Sequence, residues 1–480
     1  MRDFKVDYLL VGSGAMGMAF ADTLLAESDA SVLIVDRYHR PGGHWTKSYP
    51  FVRLHQPSAF YGVNSVALGE NRIDATGWNK GLYELAGKGE ITAYFDRVMK
   101  QKFLTSGRVK YFPSCEYLGK GMFKSLISGK QYFVSYSKIV DSTFMDVVVP
   151  AMREPPFRIG ENVKCISPNK LPENLDNHEH FVIIGGGKTS IDVILFLLRH
   201  QVEPSRIRWV VPRDSWILDR AHIQPTLGSM GEYLSKTLSP GASAKSIEEF
   251  FELVYRAGGL LKIDESVTPT MYRCSTVSRA ELAELRRIKN IVRMGRVSSI
   301  NENKLSLDGG KVVSKKKSIY IDCAGNGLPK REPVRVFQDN SIILQSVRSC
   351  QQVFSAALIA HVETNYSSIE DKNKLAQPIP NPSEDVDFLR CNLADWKNQR
   401  DWFADKKLRN WIEQSRLHPS SHLITLRKKS GLMHQEKKFF PPNSPRDLIE
   451  ARGRARAIEN IERLLKEMDG PAKREESRLK

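Results

Sequence analysis

Two short glycine turns hold the most readable chemistry of this chain. Gly12-Ser13-Gly14-Ala15-Met16-Gly17 follows the largely apolar run 6–11, and Gly185-Gly186-Gly187-Lys188-Thr189-Ser190 follows Phe181-Val182-Ile183-Ile184. In a strand–turn–helix setting the first glycine permits the tight turn and the second lets backbone approach a pyrophosphate. The third lets the helix pack closely on the strand. The helix N-terminus then offers free N–H groups and a partial positive charge to the phosphates. One such turn says little. Two of them, about 170 residues apart, predict two dinucleotides held face to face.

The residues after each turn separate the two ligands. A second strand, Ser31–Val35, ends at Asp36, whose carboxylate is placed to accept from a ribose diol and would repel a 2′-phosphate. The first site therefore suits FAD or NAD. Past the second turn come a helix (Ile191, Val193, Ile194, Leu197, Leu198), a strand over 206–211 and then Arg213, a cation suited to a 2′-phosphate. That favours NADPH over NADH at the second site. Gly187-Lys188-Thr189 imitates the end of a mononucleotide P-loop, but the first glycine of that motif would fall at Val182. The competing structural readings are a glycine turn with no nucleotide and an Arg213 that only stacks on Trp216.

Around these turns stand Gly42-Gly43-His44-Trp45, then Tyr49-Pro50-Phe51-Val52-Arg53, then Arg213-x-x-Trp216-x-x-x-Arg220, and a strand ending Asp322-Cys323-Ala324-Gly325. This set resembles the class B flavoprotein monooxygenases, the flavin-containing and Baeyer–Villiger enzymes, of which the chain reads as a divergent member. Leu54-His55 replaces the Cys-Asp that follows the arginine there. Phe157-Arg158-Ile159-Gly160 is not the fingerprint that precedes the family's second turn.

The resemblance implies FAD at the first turn (Gly12, Gly14, Ala15, Met16, Gly17, Asp36, Arg37), with Gly43, His44 and Trp45 passing under the ring and Arg53 beyond. It implies NADPH at the second turn (Gly185, Gly187, Lys188, Thr189, Ser190, Arg213), and Asp322 and Gly325 close to the FAD. It also implies a mechanism: hydride passes from NADPH to FAD N5, and O2 adds at C4a. The resulting (hydro)peroxyflavin attacks a small organic substrate at nitrogen, sulfur or a carbonyl. The catalytic candidates are His55, Gln56 and Asn64, downstream of the Gly-Gly-x-Trp loop, where a hydrogen-bond donor could hold a peroxide. The alternative within the same cofactor set is an NADPH-dependent reductase or dehydrogenase without oxygen insertion. A second alternative is an RNA-binding or RNA-modifying flavoprotein, and a third is a non-catalytic FAD-bound interaction protein.

Composition narrows the field. A chain of 480 residues exceeds one core and predicts two or three domains. No stretch approaches the ~18 to 20 apolar residues of a membrane span, and Met1–Lys5 runs straight into a strand without a signal-peptide h-region. The six cysteines are scattered with no Cys-x-x-Cys, which argues against a disulfide scaffold, a zinc or other metal site and a redox dithiol. These readings place the protein in the cytoplasm, with a small-molecule substrate and O2 as partners and a homo-oligomer left open. The net charge of +17 is diffuse, in runs such as 315–317, 406–407, 427–429 and 437–438. Without an aromatic-interleaved basic stretch it reads as solvated surface rather than a nucleic-acid face.

The predicted architecture is α/β. It has two Rossmann-like dinucleotide-binding domains, a three-layer ββα FAD domain with an inserted NADP domain, and a C-terminal helical extension. The expected boundaries are 1–160 and 316–384 for the FAD domain, 161–315 for the NAD(P) domain and 385–480 for a charged helical region. Within these, a helix over 93–103, a β excursion through 123–134 and a hinge at Pro155-Pro156 are expected. The strand 317–321 should return to close the FAD sheet. A late helix from Gln352 should aim its N-terminus at the flavin. Ile458, Ile461, Leu464, Leu465 and Met468 mark a last helix ending at Gly470-Pro471, before a disordered tail over 472–480.

Overall fold

The computed structural model describes residues 2–226, 228–325, 327–419, 421 and 445–470. The basic runs at 427–429 and 437–438, Pro471 and the expected tail 472–480 lie outside the described residues. The chain is a mixed α/β protein built on two separate, largely parallel sheets.

The first sheet contains β1 (Arg2–Val11), β2 (Val32–Val35), β3 (Val109–Phe112), β4 (Cys115–Gly119), β5 (Met122–Ser125) and β6 (Gln131–Asp141). Their order is β3-β2-β1-β6-β5-β4; β1, β2, β3 and β6 run parallel, and β4 and β5 form the antiparallel excursion. Between β1 and β2 lies α1 (Ala15–Glu27), on which every residue from Met16 to Leu25 is buried. A helix buried on all sides must be covered on all sides.

After β6 come β7 (Arg158–Ile159) and β8 (Cys165–Ile166), and then the second sheet proper. It uses β9 (His180–Ile184), β10 (Ile207–Val210), β13 (Ile291–Val292) and β17 (Ser318–Asp322), in the all-parallel order β13-β10-β9-β17-β8. β9, β10 and β17 are rich in buried Val and Ile, as strands covered on both faces require. α3 (Lys188–Arg199) joins β9 to β10. A small sheet of β14 (Val297–Asn301), β15 (Lys304–Leu307) and β16 (Gly310–Val313) pairs with β7.

A third core surrounds the parallel pair β11 (Ser215–Asp219) and β12 (Met271–Val277). In sequence, α4 (Ser229–Ser243) and α5 (Ile247–Arg256) lie between these two strands, and α6 (Arg279–Leu285) lies between β12 and β13. Later come β18 (Ser341–Ile343), α7 (Gln352–Asn365), α8 (Ile369–Leu375), α9 (Asp387–Ala404), α10 (Lys406–Gln414) and α11 (Pro445–Met468). Ile461, Leu464 and Leu465 of α11 share one buried cluster with Phe250, Phe251 and Phe388, so the last helix seals this core.

Three expectations need correcting. The strand ending at Asp322 does not close the first sheet: it sits in the middle of the second, between β9 and β8, and β18 is the strand that returns to β6. Its apolar sequence fits either sheet, and only pairing decides. The helix expected over 93–103 is α2 (Lys88–Val98), started five residues earlier by a Gly87 cap whose N–H donates to Glu90, and it runs out as a π turn over Met99–Phe103. Cys274 and Cys350 are joined in a disulfide across 76 residues, a pairing that scattered spacing does not disclose.

Candidate functional site

Both glycine turns lie at carboxyl ends of parallel strands, where an α/β sheet opens for a ligand. At the first, Gly12 adopts φ +95° between β1 and α1. A Cβ on Gly17 would fall 2.3 Å from the Gly12 carbonyl oxygen, so that glycine is fixed by helix–strand packing. Gly14 caps α1 with no side-chain hydrogen bond, and a Cβ there would meet only the Gly43 Cα, at 3.8 Å. The second turn repeats the pattern. Gly185 (φ +131°) abuts the Cys323 carbonyl, while Gly187 caps α3 without a side-chain partner and a Cβ there would meet nothing within 4 Å. Two helix starts with free N–H groups and no clash at their middle glycines form two cradles suited to anionic groups.

Asp36 is 4% exposed and already engaged. One carboxylate oxygen accepts from the Ser13 N–H (2.5 Å) and hydroxyl (2.6 Å), and the other from the Tyr38 N–H (2.7 Å). The acid is thereby held beside the turn with acceptor capacity left for a diol. Ala15 and Met16 supply the first residues of α1, and Arg37 points outward to Glu116 at 3.7 Å. The Gly-Gly-x-Trp loop packs against the same turn: the Gly42 N–H donates to the Ser13 carbonyl at 2.9 Å, and Gly43 lies against Gly14. The Trp45 indole N–H donates to the Tyr61 hydroxyl at 2.6 Å. Burial pushes the His44 imidazole down to about 4, so it is neutral at pH 7.

At the second turn, Lys188 pairs with Asp192 one helical turn on and reaches the Arg53 carbonyl, while Tyr49 donates to the same Asp192 oxygen at 2.8 Å. Thr189 and the fully buried Ser190 complete the turn. This couples the Tyr-Pro-x-x-Arg stretch of the first unit to the helix of the second. Arg53 itself donates to the Leu85 carbonyl at 3.0 Å and lies 3.7 Å from Asp74. A cavity between these elements is lined by Arg53, Lys188, Asp192, Arg199, Arg220 and Glu281.

The three catalytic candidates do not converge on one point. His55 lies on the side of the second turn: its carbonyl accepts from Arg220, and its Nδ1 is buried with no hydrogen-bond partner among the described residues. Burial, aided by the nearby Lys188 and Arg220 charges, pushes its imidazole down to about 3. Gln56 points the other way and accepts from the Gln351 amide at 2.8 Å, at the start of α7. Asn64 accepts from the Ser415 hydroxyl at 3.0 Å, beyond α10.

Three cofactor candidates have other engagements. Arg213 is bound to Glu384 through both guanidinium nitrogens and to the Thr270 carbonyl. Asp322 lies at the end of a second-sheet strand, 2% exposed and paired with Arg153 at 3.0 Å, with Gly325 following it against Pro150. Sequence reasoning misses Asp192 and Glu384, because ordinary acidic residues in helices and loops carry no spacing signal of their own.

A family model described as an NAD(P)-binding Rossmann-like domain matches residues 10–68, the first turn and its loop. Uncharacterized proteins of Mycobacterium tuberculosis and Mycobacterium bovis are 48% identical over 447 residues, covering 91% of this chain and 83% of theirs. The chain belongs to their family. Among solved structures, an ε-caprolactone-bound cyclohexanone monooxygenase is similar at a TM-score of 0.47 and 12% identity, covering 89% of this chain and 98% of that one. A flavin monooxygenase mutant from Stenotrophomonas maltophilia is similar at 0.43 and 13%, covering 76% and 100%. Among the described residues no helix is long and apolar enough to cross a membrane, and no group of three or more His, Cys, Asp or Glu could hold a metal ion.

Proposed function

We propose that this protein is an FAD-dependent oxidoreductase reduced by NADPH, with oxygen insertion into a small organic substrate as its outcome. The supporting observation is the pair of uncapped glycine turns, each with a middle glycine whose added Cβ would meet nothing closer than 3.8 Å and each opening a helix at the end of a parallel strand. A bound FAD would supply the two-electron chemistry, between hydride from NADPH and O2.

The chain's own residues would do the rest. N–H groups at the starts of α1 and α3 hold the two pyrophosphates, and Asp36 accepts from the adenosine ribose of FAD. Lys188 adds a cation at the second turn. Arg213 exchanges its Glu384 partner for a 2′-phosphate, a bidentate contact that its guanidinium fork fits. His55 is neutral and unpartnered at Nδ1, so it can donate or accept one hydrogen bond from a bound group. Buried Trp45, with the Tyr61 and His44 rings packed against it, helps close the first site and exclude water. On this reading, residues 1–160 and 316–384 serve FAD and 161–315 serve NADPH, except that strand 318–322 belongs structurally to the second sheet.

The test is anaerobic mixing of the purified protein with NADPH, followed by oxygenated buffer. A yellow protein bleached by NADPH supports both sites. A long-lived absorbing species before reoxidation supports oxygen insertion, whereas direct reoxidation with peroxide release supports the reductase. A colourless protein that FAD does not reconstitute refutes the proposal.

A further inference from the structure

Ten large apolar side chains stand exposed among the described residues, and three of them lie on the antiparallel excursion of the first sheet: Leu118 (50%), Leu126 (54%) and Ile127 (86%). A single exposed leucine is ordinary, whereas aliphatic side chains gathered on one hairpin mark a surface that meets something. β4 is the last strand of its sheet, so Leu118 sits at an open edge, and Leu126 and Ile127 form the turn between β5 and β6. The register sets Met122 opposite both Gly119 and Phe133, which places two further half-buried apolar side chains on the strand face that carries Lys124.

The turn is held in shape by its own backbone. The Ser125 N–H donates to the Lys130 carbonyl and the Gly129 N–H to the Ser125 carbonyl, both at 2.9 Å, and the Leu126 N–H donates to the Ser114 carbonyl at 2.8 Å. The Ser128 N–H adds a bond to the Ser125 hydroxyl at 3.2 Å, and Gly129 reverses the chain at φ +70°. A turn ordered in this way presents Ile127 outward without a further ordering cost on docking.

Charge selects the partner. Lys124 and Lys130 border the turn and Lys120 stands two residues from Leu118, all three exposed. Lys130 lies over the Tyr132 ring, 5.5 Å from the centroid, and Lys124 lies along Gly129. The one acid between 113 and 133, Glu116, faces Lys124 across the strands and lies 3.7 Å from Arg37. On the neighbouring β1, exposed Asp3 and Lys5 offset each other. A second copy of this face would set lysines against lysines. A convex aliphatic turn bordered by cations fits the boundary of an anionic bilayer, where apolar side chains enter the acyl region and lysines stay among the headgroups. We propose that the β5–β6 turn docks this protein on anionic lipid membranes, with Leu126 and Ile127 inserted and Lys124 and Lys130 at the lipid phosphates. Such contact is peripheral and needs no spanning helix.

The test sediments the full-length protein with vesicles of phosphatidylcholine alone and of phosphatidylcholine mixed with phosphatidylglycerol. Binding is expected to the mixed vesicles and falls as salt rises. The double variant Leu126→Ser, Ile127→Ser weakens it at least tenfold, since burying one aliphatic side chain is itself worth about tenfold. Lys124→Gln and Lys130→Gln weaken it by about fivefold each. All four side chains are exposed, so these variants are expected to melt as wild type does. Ile127→Trp reads insertion directly, as quenching by brominated lipid beyond that of the wild-type tryptophans. Protein that ignores the mixed vesicles, a Leu126→Ser, Ile127→Ser variant that binds them as wild type does, or an Ile127→Trp variant without added quenching overturns the proposal. Equal binding to an RNA oligonucleotide that depends on the lysines alone assigns the patch to nucleic acid and overturns it as well.

Discussion

Gly187→Ala separates folding from binding at the second turn. The residue sits at φ −98°, ψ −172°, an extended conformation that alanine adopts freely, and its added Cβ would meet no atom within 4 Å. Lower unfolded-state entropy stabilises the variant by about 0.4–1 kcal/mol, and the poorer N-cap costs a similar amount, so the melting temperature is expected to stay put. The empty space is the point: a methyl group there stands where a phosphate must approach the α3 N–H groups. Losing two hydrogen bonds to a charged group, at about 1.5–3 kcal/mol each, weakens NADPH by about two to four powers of ten. Titration of NADPH into the FAD-loaded variant, followed by the anaerobic bleaching rate against concentration, reads this directly. A variant that melts normally and binds NADPH within threefold of wild type would refute the assignment of the second turn.

Gly17→Ala should behave oppositely, since its Cβ would lie 2.3 Å from the Gly12 carbonyl oxygen; loss of soluble folded protein, judged by thermal melting, is the expected result. Glu384→Gln frees Arg213 from its ion pair and should tighten NADPH relative to NADH, while Arg213→Ala should erase that preference, both measured as the ratio of dissociation constants. The neutral imidazoles of His44 and His55, shielded from water, have folded pKa values of about 4 and about 3, below the unfolded value of about 6.5. The unfolded chain therefore takes up protons first, and stability should fall as pH drops from 6.5 toward 4. His55→Asn should flatten that slope in denaturant titrations. Reducing the Cys274–Cys350 disulfide releases a loop of 76 residues, worth about 4.5 kcal/mol on the chain-entropy account. A melting temperature unmoved by reductant would contradict that linkage.

The turns are legible in the sequence because their chemistry is local. Gly12 and Gly185 are demanded by left-handed backbone at the ends of their strands, Gly17 by a contact a few residues away, and Asp36 by the strand that ends on it. What escapes a reading of the sequence is decided by pairing between distant segments. The run 318–322 is as apolar as any strand of the first sheet, and only its neighbours β8 and β9 place it in the second. Arg213 reads as free because Glu384 lies 171 residues along the chain. His55, Gln56 and Asn64, neighbours in sequence, face three different parts of the molecule.

The position of β17 also constrains how the protein can be made. A ribosome delivers β8 and β9 early but the strand that belongs between them only at residue 322. Until then β9 presents an apolar edge with unsatisfied backbone groups, the kind of surface that recruits another chain. At about 5–20 residues per second that exposure lasts many seconds on each nascent chain. The second sheet therefore closes only at residue 322 and the first, which waits for β18, later still, so both stay open while the chain is being made.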